Sequence, residues 1–316
     1  MKPSLFIKLF EKIVQPVLLY NSEITNAYIP KKWDYQSFKE NIWKMKIKIN
    51  DVSHSFLKQI LGVTKHTSNI ATLAECGKFP LQLKIYVQII KYWMRLFSNE
   101  SIYMQKLHLA EIKKCEENKP SWLKIVEYLI EYTNTKKYFG LNEIISKPKK
   151  LIEIFESKLK ALYKEWWKGH IKNDSKMEFY NVYKKEFYFE SYIDNLSLKR
   201  RKVIAKLRLS NHKFPIEKQR YSNIRRNERY CSICNSNEIG DENHYLLKCT
   251  NDNLEKLRND FIKEVSKILK EFKMMDKINI IKYCIKMSDP VIQNITAKYI
   301  EDIFVNFESE ENKLIT

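Results

Sequence analysis

Glycine is almost absent from this chain: five residues in 316. A sequence with so few residues suited to positive φ cannot build the repeated tight turns of a many-stranded sandwich. Eight prolines add little further punctuation, and neither G-x-G-x-x-G nor G-x-x-x-x-G-K-[ST] occurs. The common phosphate-cradling loops are therefore missing. Helices remain, and apolar residues recur at helical period along most of the chain. At 44% hydrophobic it is a globular sequence.

The periodicity predicts a mainly α fold. Leu5, Leu9, Ile13, Val17 and Tyr20 form one helical stripe, expected to bend or end near Pro16. Residues 43–61 form a second helix, with Gly62 as its stop signal. After Pro80, LQLKIYVQIIKYWMRLF is apolar almost all round and reads as a central helix. Further helices are expected at 121–132, 149–167, 178–189, 196–209, 253–272, 276–287 and 289–307. Asp289 and Pro290 supply the N-cap and first position of the last. Short strands at 209–213 or 229–232 have weak support. The longest run free of charge is ten residues, 13–22, too short to span a bilayer. The N-terminal apolar run is broken by Lys8, Glu11 and Lys12, so no signal peptide is expected. The expected location is intracellular, nuclear or cytoplasmic, without a membrane partner.

The formal net charge is +19, and +10 of it falls within the 31 residues 199–229. Seven of the nine arginines lie there. Arginine suits bidentate phosphate contact and base stacking. The stretch is read as a polyanion-binding segment carried by Arg200, Arg201, Lys202, Lys206, Arg208, Lys213, Lys218, Arg220, Arg225, Arg226 and Arg229. A solvated basic face is the competing reading. Just upstream, Trp166, Trp167, Phe179, Tyr180, Tyr183, Phe187, Tyr188, Phe189 and Tyr192 interleave with lysines. At three-to-four-residue spacing they read as helical core before they read as a stacking platform for bases.

Immediately after the arginines comes YCSICNSNEIGDENHYLLKC, spaced C-x2-C-x9-H-x4-C. A C-x2-C turn offers two thiolates to one ion, and Asn, Gly and Asp in the intervening loop suit a chain reversal. Cys231, Cys234, His244 and Cys249 complete a set of three sulfurs and one nitrogen. This is the closed, structural pattern for Zn2+, one ion per chain, with no position left for a reactive water. A disulfide framework would need an oxidising compartment. Cys76, Cys115 and Cys284 sit among apolar neighbours and read as small core residues or free thiols. The remaining histidines, including His212, form no ligand-spaced cluster.

Three segments together resemble the C-terminal part of reverse transcriptases from non-LTR, LINE-like retrotransposons. LFEKIVQPVLLYNSEI is similar to the segment that follows the palm, where the family reads LLYGSEIWG. FLKQILGVTKHTSNIATLAECGKFPLQLKIYVQIIKYWMRL carries the ILGV, TSN and GKFPL elements in order. LRLSNHKFPIEKQRYSNIRRNERYCSICNSNEIGDENHYLLKC matches the basic run into the family's zinc knuckle. Asn21 and Thr25 depart from the family's Gly and Trp. No Asp-Asp pair occurs, so the metal-binding aspartates of a polymerase palm are missing and no enzymatic activity is expected.

The resemblance implies a thumb-like or connector region over 1–195, a basic segment over 196–230, a CCHC knuckle over 231–249 and C-terminal helices over 250–316. It implies template RNA or target DNA as partner, and a palm upstream in a longer parent chain. An uncovered apolar patch is expected on the first helices, where that palm would dock. A structural or protein-interaction module, and a decayed reading frame without retained activity, are the alternatives.

Overall fold

The computed structural model describes residues 2–25, 34–98, 101–117, 121–234, 236–269 and 276–315. Among them are eighteen α-helices and no strand, as the period predicts. The segment 209–213 forms no strand, and 229–232 contributes one isolated antiparallel bridge, Tyr230 to Ile239. A second bridge joins Cys76 to Phe189.

The chain packs as two units, each assembled from separated segments. One comprises residues 6–54 and 79–169, the other residues 1–5, 55–78 and 170–316. The expected boundary at 195 matches neither. The basic segment, the knuckle and the C-terminal helices all belong to the second unit, together with 55–78 and 170–195.

In the first unit the helix Leu81–Ser98 is central. Leu81, Leu83, Ile85, Tyr86, Val87, Ile89, Ile90, Met94 and Leu96 are all buried, which explains its all-round apolar sequence. Aromatic rings fill the space beside it: Trp43 meets Tyr163 at 5.0 Å and its Nε1 donates to Tyr132 Oη at 3.1 Å. The helix Trp122–Tyr132 is started by Ser121, whose Oγ accepts from Leu123 N. One helix, Ile102–Glu116, has no period to announce it and buries no residue.

The N-terminal stripe is helical but faces outward. Leu9, Ile13, Val17 and Tyr20 are 46 to 77% exposed, while Ile7, Phe10 and Leu19 are buried instead. As expected, the helix ends just past Pro16, at Leu18. A single π turn, Phe10–Val14, precedes the proline and widens the backbone where the ring would clash with the preceding turn.

The second unit is organised by a buried ionic cluster. Arg208, at the end of the helix Leu198–Arg208, donates through Nε and one terminal nitrogen to the Glu75 carboxylate at 2.9 to 3.2 Å. The same nitrogen reaches Glu190 at 3.0 Å, and Lys184 Nζ reaches Glu190 at 2.7 Å. Tyr192 Oη donates to Glu75 at 2.7 Å. Burial pushes the Glu75 carboxyl upward, but Arg208 and Lys184 outweigh it and hold it below the usual carboxylate range. Gly77 lets the chains close over this cluster: its φ is +58°, and a Cβ there would lie 2.5 Å from Phe189 N. The C-terminal helix Pro290–Ile315 packs Ile292, Tyr299, Ile300, Ile303 and Phe307 inward. Asp289 caps it as expected, accepting from Val291 N and Ile292 N at 2.9 Å.

Glu75→Gln removes the main counter-charge of Arg208 and is expected to cost about 3–5 kcal/mol in urea denaturation, the penalty for a buried charge left unpaired. The Glu75 contribution is complete above the ordinary carboxylate range and is lost as pH falls through the lower folded value. Glu75→Gln combined with Arg208→Met should recover part of the loss; equal damage from single and double variants would contradict the assignment.

Candidate metal centre and the basic segment

The four ligand candidates come together through two local devices. The first is a short hairpin. Gly240 N donates to Arg229 O and Cys231 N to Glu238 O, both at 2.8 Å, so the C-x2-C turn is held at its mouth. Gly240 is the tight point, where a Cβ would lie 3.0 Å from Pro215 Cγ and 3.2 Å from Cys231 Cα. The second device is a π turn, His244–Lys248, begun by Asp241 Oδ1 accepting from His244 N at 2.7 Å. Cys249 N donates to His244 O at 2.7 Å. In an α-helix residues five apart point away from each other; one π turn brings them to the same side. The H-x4-C spacing is therefore the length of a single wide turn.

The four donor atoms all lie within 4.8 Å of one another, the cluster among the described residues that could hold a metal ion. Cys231 and Cys249 sulfurs are 4.0 Å apart, and Cys234 Sγ is 3.3 Å from His244 Nε2. Four bonds of about 2.3 Å in a tetrahedron place sulfurs about 3.8 Å apart. The set is thus close to the size that one tetrahedral ion needs. His244 Nδ1 faces Glu238 Oε2 at 2.9 Å. With that N–H donated to the carboxylate, the Nε2 lone pair points into the cluster, the orientation that metal-ligating histidines adopt. The bond to Cys249 holds the Cys231 thiol down at about 3, while the same bond drives the Cys249 thiol upward. The thiolate is the ligating form of cysteine.

Helices of the same unit fasten the cluster from behind. The carbonyls that end the π turn are caught by Arg258, which donates to Leu246 O at 3.3 Å and Cys249 O at 2.9 Å. Tyr299 Oη also donates to Leu246 O, at 2.5 Å. Between the ligands, Tyr245 stacks on Phe214 at 4.3 Å and meets Phe307 edge-on at 5.0 Å. Nothing in the spacing of the sequence points to Glu238, Arg258 or Tyr299 as members of this centre. His212 is buried beside it on Glu242, at 2.9 Å, a structural pairing rather than a ligand. Of the other cysteines, Cys76 and Cys284 are buried core residues and Cys115 is half-buried. Burial pushes the Cys284 thiol up to about 12.

The basic segment divides into inward and outward cations, and this corrects the expectation for three arginines. Arg201 donates to Ile193 O at 3.0 Å, Arg229 to Ile216 O at 2.7 Å, and Arg208 is bound by Glu75 and Glu190. All three are buried, so their guanidiniums face carbonyls and carboxylates of the fold instead of solvent phosphate. Five more have carboxylate partners nearer the surface. Arg200 pairs with Glu301 at 2.6 Å, Lys213 with Glu308 at 3.1 Å and Lys218 with Glu311 at 2.9 Å. Arg220 pairs with Glu217 at 3.3 Å and Arg226 with Glu178 at 2.5 Å. Lys202, Lys206 and Arg225 have no such partner among the described residues; Lys206 and Arg225 are exposed. Of the upstream aromatics, Trp167, Phe179, Tyr180, Tyr183, Phe187 and Tyr192 are buried, the core reading, while Tyr188 is 52% exposed.

Compared with family models, curated proteins and solved structures, the chain matches none. No described helix is long and apolar enough to cross a membrane.

The Glu238 contact carries its own test. Glu238→Gln keeps the side-chain shape but weakens the acceptor for His244 Nδ1, and metal affinity is expected to fall roughly 10- to 100-fold in a chelator competition. Unchanged affinity would show that Glu238 does not orient the ring.

Proposed function

We propose that the chain is a nucleic-acid-binding module of the kind found at the C-terminal end of LINE-like reverse transcriptases, with a structural Zn2+ at Cys231, Cys234, His244 and Cys249. The observation that carries this reading is the closed cluster of three thiols and one imidazole directly after a basic segment. Soft thiolates with one imidazole in a tetrahedral arrangement favour zinc over magnesium, calcium or manganese. With all four ligands from the chain, the ion would hold the hairpin and the π turn together rather than activate water. Two further details support the family reading. Asn21 has φ +52°, a left-handed conformation in which asparagine is the best-tolerated substitute for the family's glycine. Gly77, within the GKFPL element, lies where no side chain fits.

Zinc is tested by native mass spectrometry. One zinc per chain is expected, with loss of the ion in Cys231→Ser; a metal content unchanged by that substitution would refute the ligand assignment.

Nucleic-acid binding would rest on the outward cations: Lys206 and Arg225 directly, with half-buried Lys202, and Arg200, Lys213, Lys218 and Arg226 by exchanging carboxylates for phosphates. Surface ion pairs are worth about 0–1 kcal/mol, so phosphate can displace them. With about three cations immediately available, the slope of log K against log salt is expected near −2 to −3. Glu308→Gln and Glu311→Gln free Lys213 and Lys218 and should steepen that slope by up to about one unit each. A fluorescence-anisotropy titration with single- and double-stranded RNA and DNA measures this, and a slope near zero would sink the reading.

The burial of Arg201, Arg208 and Arg229 favours a second reading, a structural module whose arginines serve the fold and whose partner is a protein. Pull-down with and without nuclease separates the two, because a protein partner survives nuclease treatment.

A further inference from the structure

The guanidinium of Arg208 is engaged only in part by the ionic cluster. Its Nε and Nη2 donate to Glu75 and Glu190, while Nη1 donates to no group among the described residues. Arg208 is 3% exposed, and a buried cation that leaves a donor idle bears desolvation without return. Arg208 also lines a cavity of about 280 Å³ within the second unit. Thr296, 1% exposed, lines this cavity as well, and its hydroxyl has no hydrogen-bond partner. Lys286 is a third lining residue. It is exposed, its Nζ lies 5.7 Å from the Tyr183 ring, and no carboxylate among the described residues pairs with it.

From this we infer that the cavity is a binding site for a small oxyanion, a carboxylate or phosphate carried on a compact apolar body. The idle groups are donors: a guanidinium nitrogen, a hydroxyl and an ammonium. A ligand that satisfies them must supply acceptors, and ionised oxygens are the strongest acceptors for a guanidinium. The charges agree. Glu75 and Glu190 are offset by Arg208 and Lys184, so Lys286 leaves one positive charge in excess. Cys284 lines the cavity without adding a negative charge, because burial pushes its thiol up to about 12. Size limits the ligand. Small-molecule sites run from roughly 300 to 1,000 Å³, and this one lies at the lower edge of that range. Ile204, Ile285 and Met287 line the same space, and an apolar body fits against them better than a hydrated inorganic ion. The site stands apart from the outward cations of the basic segment, so it does not depend on nucleic-acid binding.

Isothermal titration of the full chain with sodium benzoate and with phenyl phosphate, at constant ionic strength, is expected to show one site per chain. The tighter of the two identifies the headgroup. Benzamide has the same shape without the charge and should bind at least about tenfold more weakly. Lys286→Glu reverses the exposed charge and should weaken the preferred anion at least about tenfold, with circular dichroism unchanged. Thr296→Val removes a hydroxyl that the fold leaves unbonded. It should weaken the anion roughly 2- to 10-fold while the thermal midpoint of the unliganded chain stays level or rises. Arg225→Glu, on the outward basic segment, should leave the affinity as it is. The inference is overturned if neither anion binds at millimolar concentration, or if benzamide binds as well as benzoate. It is equally overturned if the affinity ignores Lys286→Glu and falls with Arg225→Glu, or if Thr296→Val lowers the unliganded midpoint without weakening the anion.

Discussion

The guanidinium of Arg208, buried between Glu75 and Glu190, is the interaction on which the second unit depends. It joins three segments far apart in sequence: the end of the helix Leu198–Arg208, the chain at Glu75 and the chain at Glu190. Glu190 N also donates to Glu75 O at 2.9 Å, so backbone and side chains make the same junction. Two carboxylates meet Arg208 and Lys184, which leaves the interior near neutrality. Such a cluster is a poor source of net stability but a strong specifier of register, because any displaced pairing buries an uncompensated charge. Residues 55–78 are thereby held against residues 184–208, and the knuckle follows from the same segment.

The knuckle is the second fixed point, and it is made differently. Its π turn buries Tyr245, Leu246 and Leu247, and Tyr245 packs against the rings of Phe214 and Phe307, whereas the hairpin brings few apolar residues of its own. Arg258 and Tyr299 tie its last carbonyls to the C-terminal helices. In small segments of this type the free energy of metal binding is largely free energy of folding. Under the proposed Zn2+ assignment, the four residues presented by two short turns would act as a clamp.

Much of the fold was legible in the sequence. The central helix after Pro80, the cap at Asp289 and the stop at Gly62 all follow from local chemistry, and the structure contains each of them. The cluster of Cys231, Cys234, His244 and Cys249 was legible as well, because such spacing is a local property. Which face of a helix points inward was not. The stripe through Leu9, Ile13 and Val17 has perfect helical period, but period does not distinguish a face turned to the core from one turned outward. The arginines show the same limit. Clustering along the chain gave a charge count, whereas Arg201, Arg208 and Arg229 are distinguished only by carbonyls and carboxylates that the fold brings from elsewhere. The division into two interleaved units likewise depends on long-range pairing and has no local signal.

The measurement that bears most directly on the centre is X-ray absorption at the zinc edge of the purified chain. Three sulfurs at about 2.3 Å and one nitrogen at about 2.0–2.1 Å are predicted. A shell of oxygen donors, a shell with fewer than three sulfurs, or a chain that retains no zinc would contradict a structural ion held by Cys231, Cys234, His244 and Cys249.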